Sequence, residues 1–166
     1  MHKTSSFNKQ QLIAVIIADL QKELLQAQQS ANEAHAAAVD DESIAETQYD
    51  TLAIEASYLA EGQSRRVQEY RNAIDELNAL SCKEYSADDA ISLSALVQLA
   101  QDSESNSWFF IAPAAGGFRC TIANRNITVI TAKSPMGIAL LGKYQDDDIA
   151  IILGNNSLND YIKQVC

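Results

Sequence analysis

Eight apolar residues near the start of the chain limit its fold more than any other feature. Ile13, Ile17, Leu20, Leu24, Ala27, Ala31, Ala34 and Ala38 step by alternating fours and threes. An unbroken heptad seam of this kind calls for a helical partner along a narrow line rather than a broad globular face. The seam thins from Ile and Leu to Ala, which lets two helices approach closely. From Ile13 to Ala38 such a helix would run roughly 40 Å. Residues 1–80 hold no proline and one glycine, Gly62, whereas both prolines and the other five glycines follow residue 110. The chain therefore reads as two halves with different local rules.

The segment Val39-Asp40-Asp41-Glu42-Ser43 interrupts the seam. Asp40, Asp41 or Ser43 suits the cap of a second helix, and Glu42 and Glu46 suit its positive N-terminal end. The second seam reads Ala45, Tyr49, Leu52, Ala56, Leu59, Gln63, Val67, Tyr70, Ile74 and Leu77, with one stutter near Gln63. Helices joined by so few residues lie antiparallel, so the first half predicts a helical hairpin turning near residues 39–43.

Residues 81–90 read as a linker. Beyond it Ile91, Leu93, Ala95, Val97 and Leu99 alternate as in a half-buried strand, although a short helix also fits. Trp108–Ile111, Phe118–Ile122, Ile127–Thr131, Ile149–Leu153 and Leu158–Val165 predict further strands. Turns fall at 102–106, Gly116-Gly117 and Gly154-Asn155-Asn156. Ser134 as cap, Pro135 in the first turn and Gly142 past the end mark a short helix. The expected class is α+β: an antiparallel coiled-coil hairpin (1–80), a linker (81–90) and a mostly antiparallel sheet domain with one helix (91–166).

Of the 166 residues 47% are hydrophobic, enough for a real core, and the net charge is −10. Such a chain repels bare nucleic acid and favours basic surfaces, metal ions or a positively charged channel. Cys82, Cys120 and Cys166 lie far apart without zinc spacing and read as free thiols in a reducing compartment. The polar start lacks a signal core, and no apolar run is long enough for a membrane span. A cytoplasmic location is expected.

No Lys or Arg occurs between Lys22 and Arg65, a stretch with nine acids: Glu23, Glu33, Asp40, Asp41, Glu42, Glu46, Asp50, Glu55 and Glu61. Five of them fall between 40 and 50, at the expected tip. Solvation of a thin rod is the plain explanation. Yet surface helices ordinarily mix signs for i,i+4 support, which this stretch forgoes. Clustered carboxylates on a slim tip can complete a magnesium site shared with phosphates and water, or enter a basic pore.

The run Ser134-Pro135-Met136-Gly137-Ile138-Ala139-Leu140-Leu141-Gly142-Lys143 resembles the SPxGxALxGK motif of the GreA/GreB transcription elongation factors. Ala45–Asp50 and Glu55–Ala60 are similar to the second hairpin helix of a Gre-like subfamily. The resemblance covers nearly the whole chain in the family's order. It implies a coiled coil followed by an FKBP-like domain that docks on RNA polymerase at its secondary channel, with Ser134, Pro135 and Met136 as contacts. The hairpin would pass through the channel and meet nascent RNA only indirectly. Asp41, Glu42 and Glu46, with Asp40 and Asp50 nearby, would assist the polymerase's own Mg2+ in cutting backtracked RNA. The protein itself would be no enzyme, hold no stable cofactor and be monomeric.

Cleavage factors carry Asp-x-x-Glu at the tip, and no tip Asp here has Glu three places on. Glu42 and Glu46, at i,i+4, are the nearest same-face pair. Stimulated cleavage and channel-binding inhibition both remain open, as do a folding helper of the FKBP type and an intermolecular coiled-coil scaffold. Trp108–Phe110 reads as mainly core, Asp146-Asp147-Asp148 as a solvated turn, and His2 and His35 receive no role.

Overall fold

A computed structural model describes the backbone of residues 6–44 and 51–166, and their side chains except for 40–44 and 51–53. Two long helices, α1 (Lys9–Ile44) and α2 (Thr51–Ala79), pack together and precede a six-stranded sheet with one short helix. The chain divides into two compact units: Met1–Ile16 with Glu76–Cys166, and Ile17–Asp75.

In the helical unit the alanine seam faces inward: Ala27, Ala31, Ala34 and Ala38 are each buried. The helices run antiparallel, with His35 Nε2 3.4 Å from Ser64 Oγ and Gln28 sharing a groove with Arg71. The turn expected at 39–43 is not there, since α1 continues through Ile44. Nothing between Ser30 and Glu61 is proline or glycine. The acids at 40–42 are weaker helix formers than alanine but do not break a helix. Residues 45–50, between α1 and α2, lie outside the described residues.

The second seam also differs from its reading. Ala60 is buried at 2% exposure while Leu59 is 56% exposed. With Ala60 in place of Leu59 the inward positions become Ala56, Ala60, Gln63, Val67, Tyr70, Ile74 and Leu77. From Ala56 to Leu77 this spacing alternates fours and threes without the break near Gln63. The larger apolar residue was the wrong choice, because the thin interface takes alanine and leaves leucine outside.

The other unit is built on the sheet β3-β4-β2-β1-β6-β5. Its strands are β1 (Leu96–Leu99), β2 (Ser107–Ile111), β3 (Arg119–Ile122), β4 (Arg125–Ile130), β5 (Asp148–Leu153) and β6 (Asn156–Val165). The helix α3 is Pro135–Leu140. The sheet is mixed, because β2 and β4 are parallel while the other neighbours are antiparallel. After β2 the chain moves out to edge strand β3 and returns through Ala123-Asn124, both at positive φ, to insert β4 beside β2. That hairpin reversal makes β4 run with β2.

The expected strand over 91–99 shortens to β1. Ser94 takes φ 74 and Leu93 is 41% exposed, so the apparent alternation belongs to a turn. All four residues of β1 are buried. A strand covered on both faces shows no polar alternation. One layer of core joins Val97, Leu99, Ile111, Ile130 and Ile162 with Leu140 of α3. Leu96, Trp108, Phe110, Ile127 and Val129 are buried as well. There the Arg125 guanidinium lies between the rings of Phe7 and Trp108, at 5.1 and 4.3 Å. Burying a ring such as Phe110 contributes about 1.5–3 kcal/mol.

The segment before β1 is tied down by local bonds. Lys83 N donates to Ser94 Oγ, and Tyr85 OH to the Leu93 carbonyl. Asp89 accepts from Ser86 N at 2.9 Å and from Lys83 Nζ at 3.0 Å. The Ser86 backbone bond, the Lys83 ammonium and the Ser86 hydroxyl lower its carboxyl to about 2. Lys9 is buried at 5% exposure. Its ammonium donates to the carbonyls of Lys83 and Cys166 at 2.6 and 2.8 Å and lies over the Tyr85 ring. Burial lowers its pKa, opposed by the negative charge of Glu84.

Candidate functional site

The run Ser134–Lys143 forms one locally determined unit. Ser134 Oγ accepts from Gly137 N at 3.0 Å and donates to the Thr131 carbonyl at 2.7 Å. It caps α3 and holds it to the end of β4, as Ser with Pro in the first turn suggests. Gly137 is forced, since a Cβ there would fall inside the Thr131 carbonyl. Past the helix, Gly142 adopts φ 79. Its N–H donates to the Ile91 carbonyl, and the Lys143 carbonyl accepts from Ile91 N. Both ends of the motif are thus clamped to the sheet unit by backbone bonds.

This geometry sorts the three expected contact residues. The Ser134 hydroxyl is engaged inside the chain, and Met136 is half-buried against the core. Pro135 is exposed. Ile138, not singled out from the sequence, is 67% exposed on the helix's outer side. Its signal was an aliphatic residue beside a glycine already needed for packing. Beside α3 lies an open groove of about 780 Å³ lined by Ile138, Lys143, Asp148, Asp160 and Tyr161 among others. One cation, two carboxylates and two exposed apolar groups suit a polypeptide surface more than a small anion. β5 ends the sheet order at this side, with Ile152 and Leu153 at 77% and 56% exposure.

The expected tip residues fall largely outside the described part. Asp40, Asp41 and Glu42 lie on the last turns of α1 without described side chains, and Glu46 and Asp50 lie in 45–50. The caps expected from Asp40, Asp41 or Ser43 are replaced by continuing helix. On the described flanks Glu33, Glu55 and Glu61 are exposed. Glu61 sits 3.9 Å from Arg65, the cation that ends the acidic stretch.

Among the described residues no three His, Cys, Asp or Glu side chains gather as a metal site. No helix there is long and apolar enough to cross a membrane. The three cysteines are free, and burial raises the thiol pKa of Cys82 and Cys120. Asp147 Oδ2 accepts from Tyr144 N at 2.8 Å, so Asp146 and Asp147 are held in a turn, while Asp148 already begins β5.

No family model matches the chain, and no curated protein matches it. Among solved structures, the chain is similar to the GreA factor homolog 1 (Gfh1) protein of Thermus thermophilus at 18% identity and TM-score 0.35, over 90% of this chain and 94% of that one. A second structure, of the transcription factor Gfh1, gives 18% and 0.38 over 90% and 92%. Gfh1 of Thermus aquaticus gives 19% and 0.35 over 89% and 92%. At this identity and superposition the likeness carries no weight for activity.

Proposed function

We propose that this chain is a Gre-type transcription factor that binds RNA polymerase and sends its acidic hairpin into the polymerase's secondary channel. The observation that carries the reading is the pairing of a slim antiparallel hairpin, closed by an alanine seam, with a 42-residue stretch that has no cation. A narrow rod of one sign suits a confined basic passage. The Ser134–Lys143 resemblance supplies the partner, and Pro135, Ile138 and Lys143 are exposed residues of that motif that can touch it.

Inside the channel Glu42 and Glu46 would offer hard oxygen ligands to Mg2+ shared with the polymerase. The protein would act as a monomeric cytoplasmic cofactor without chemistry of its own. The absence of Asp-x-x-Glu favours a second reading, in which it occupies the channel and slows the polymerase without promoting cleavage.

The test is RNA cleavage in a stalled, backtracked elongation complex, comparing the wild type with Glu42→Ala/Glu46→Ala. Faster cleavage that the double variant loses supports the first reading. Binding with slowed elongation and unchanged cleavage supports the second. No binding to core polymerase overturns both.

A further inference from the structure

Gly62 is the one glycine in α2, and nothing among the described residues accounts for it. It lies ten residues or more from either helix end and is absent from the glycines at positive φ. A Cβ built there would meet nothing within 4 Å. Short of proline, glycine is the least favourable residue for a helix interior. A helical glycine with open space in place of a side chain lets another backbone or a bulky group come close.

The residues around it point the same way. Ile54, Tyr58 and Gly62 lie one turn apart in succession, and Leu59 flanks them on the same helix. Ile54, Tyr58 and Leu59 are 52%, 71% and 56% exposed. The opposite side of α2 already has its partner, with Ala60 and Val67 buried and Ala56 and Gln63 half-buried. Three large apolar side chains on the outward side of a rod are costly to leave in water unless something covers them. Exposed Glu55 and Glu61 border the strip, within the stretch that lacks cations.

We propose that Ile54, Tyr58, Leu59 and Gly62 form the face by which the hairpin seats against a basic protein wall. Resting on the reading above, that wall is the lining of the polymerase channel. Tyr58 and Ile54 enter an apolar depression in it, Gly62 admits a projecting residue, and Glu55 and Glu61 meet surrounding cations. A polyanionic nucleic acid is repelled by the same acids. A second copy of this chain is disfavoured by its like charge.

The test measures binding of the labelled full-length protein to core RNA polymerase by fluorescence anisotropy. Tyr58→Ser is expected to weaken it tenfold or more, and Gly62→Gln several-fold. Gly62→Gln should at the same time raise the Tm, because glutamine is the better helix former, so weaker binding cannot come from misfolding. Leu25→Ser removes an apolar side chain of 59% exposure on α1 and should bind as the wild type does. If the wild type binds and both α2 variants bind equally well, this face is not the contact and the proposal falls alone. Equal weakening by Leu25→Ser also overturns it, since exposed apolar area alone would then explain the loss. If the wild type does not bind, the channel reading itself has failed.

Discussion

The sheet unit and the hairpin bury their apolar residues in opposite ways. In the sheet unit Phe110, Ile111, Leu96, Leu140 and Ile162 are fully buried, and β1 is covered on both faces. Along the hairpin the buried residues are chiefly alanines, while Leu25, Ile54, Tyr58 and Leu59 stay outside. The sheet unit carries the large aliphatic and aromatic burial that resists unfolding. The hairpin keeps its interface thin and its larger side chains outward. A mutation in the first should therefore register as lost stability, and one on the outward face of α2 as lost binding.

Phe110→Ala should give the largest loss of stability, about 3–5 kcal/mol in urea unfolding. A loss below 1 kcal/mol would break the contrast. Gly137→Ala forces a methyl into the Thr131 carbonyl and should cost about 1–3 kcal/mol. The α3 unit would loosen with it, seen as faster amide exchange at Gly137 and Ile138. In the hairpin, Ala60→Leu should cost about 1–2 kcal/mol by overpacking the seam, whereas Leu59→Ala should stay within about 0.5 kcal/mol. Reversed magnitudes would restore the seam with the stutter.

The smallest effect concerns Asp89. Its folded pKa, about 2, lies below the ordinary aspartate value, so its contribution is complete above the ordinary aspartate range and fades as the pH falls through about 2. Wild type should be slightly more stable than Asp89→Asn at pH 6, and the gap should shrink as the pH falls toward 2. A gap as large at pH 2 as at pH 6 would mean another group is responsible.

Much of this was legible in the sequence because it depends on local spacing. The alanine seam of α1 is a period that any partner helix must satisfy, and Ser134-Pro135 with Gly142 states both ends of α3. What spacing could not convey was context. Residues 91–95 alternate like a strand, but the turn is set by Ser94 at positive φ and by bonds from Lys83 and Tyr85, remote in pattern. Leu59 looked like a seam residue because it is more apolar than Ala60; only the closeness of the facing helix favours the smaller one. The acids at 40–42 read as caps from spacing alone, because a carboxylate suits a helix end and a helix interior without a local sign of which it occupies. At the motif, Ser134-Pro135 stated the helix cap, while nothing in the spacing conveyed that the same hydroxyl also donates to the Thr131 carbonyl.

The Lys9 ammonium reaches Cys166, 157 positions away in the chain. A ribosome delivers Lys9 well before Cys166, so one of its two acceptors does not exist until β6 has been made. Until then Leu12 and Ile16, fully buried in the finished unit, belong to a unit still missing its inner strand β6. A nascent chain arrested before β6 should leave Lys9 open to amine-reactive labels that the completed protein turns away.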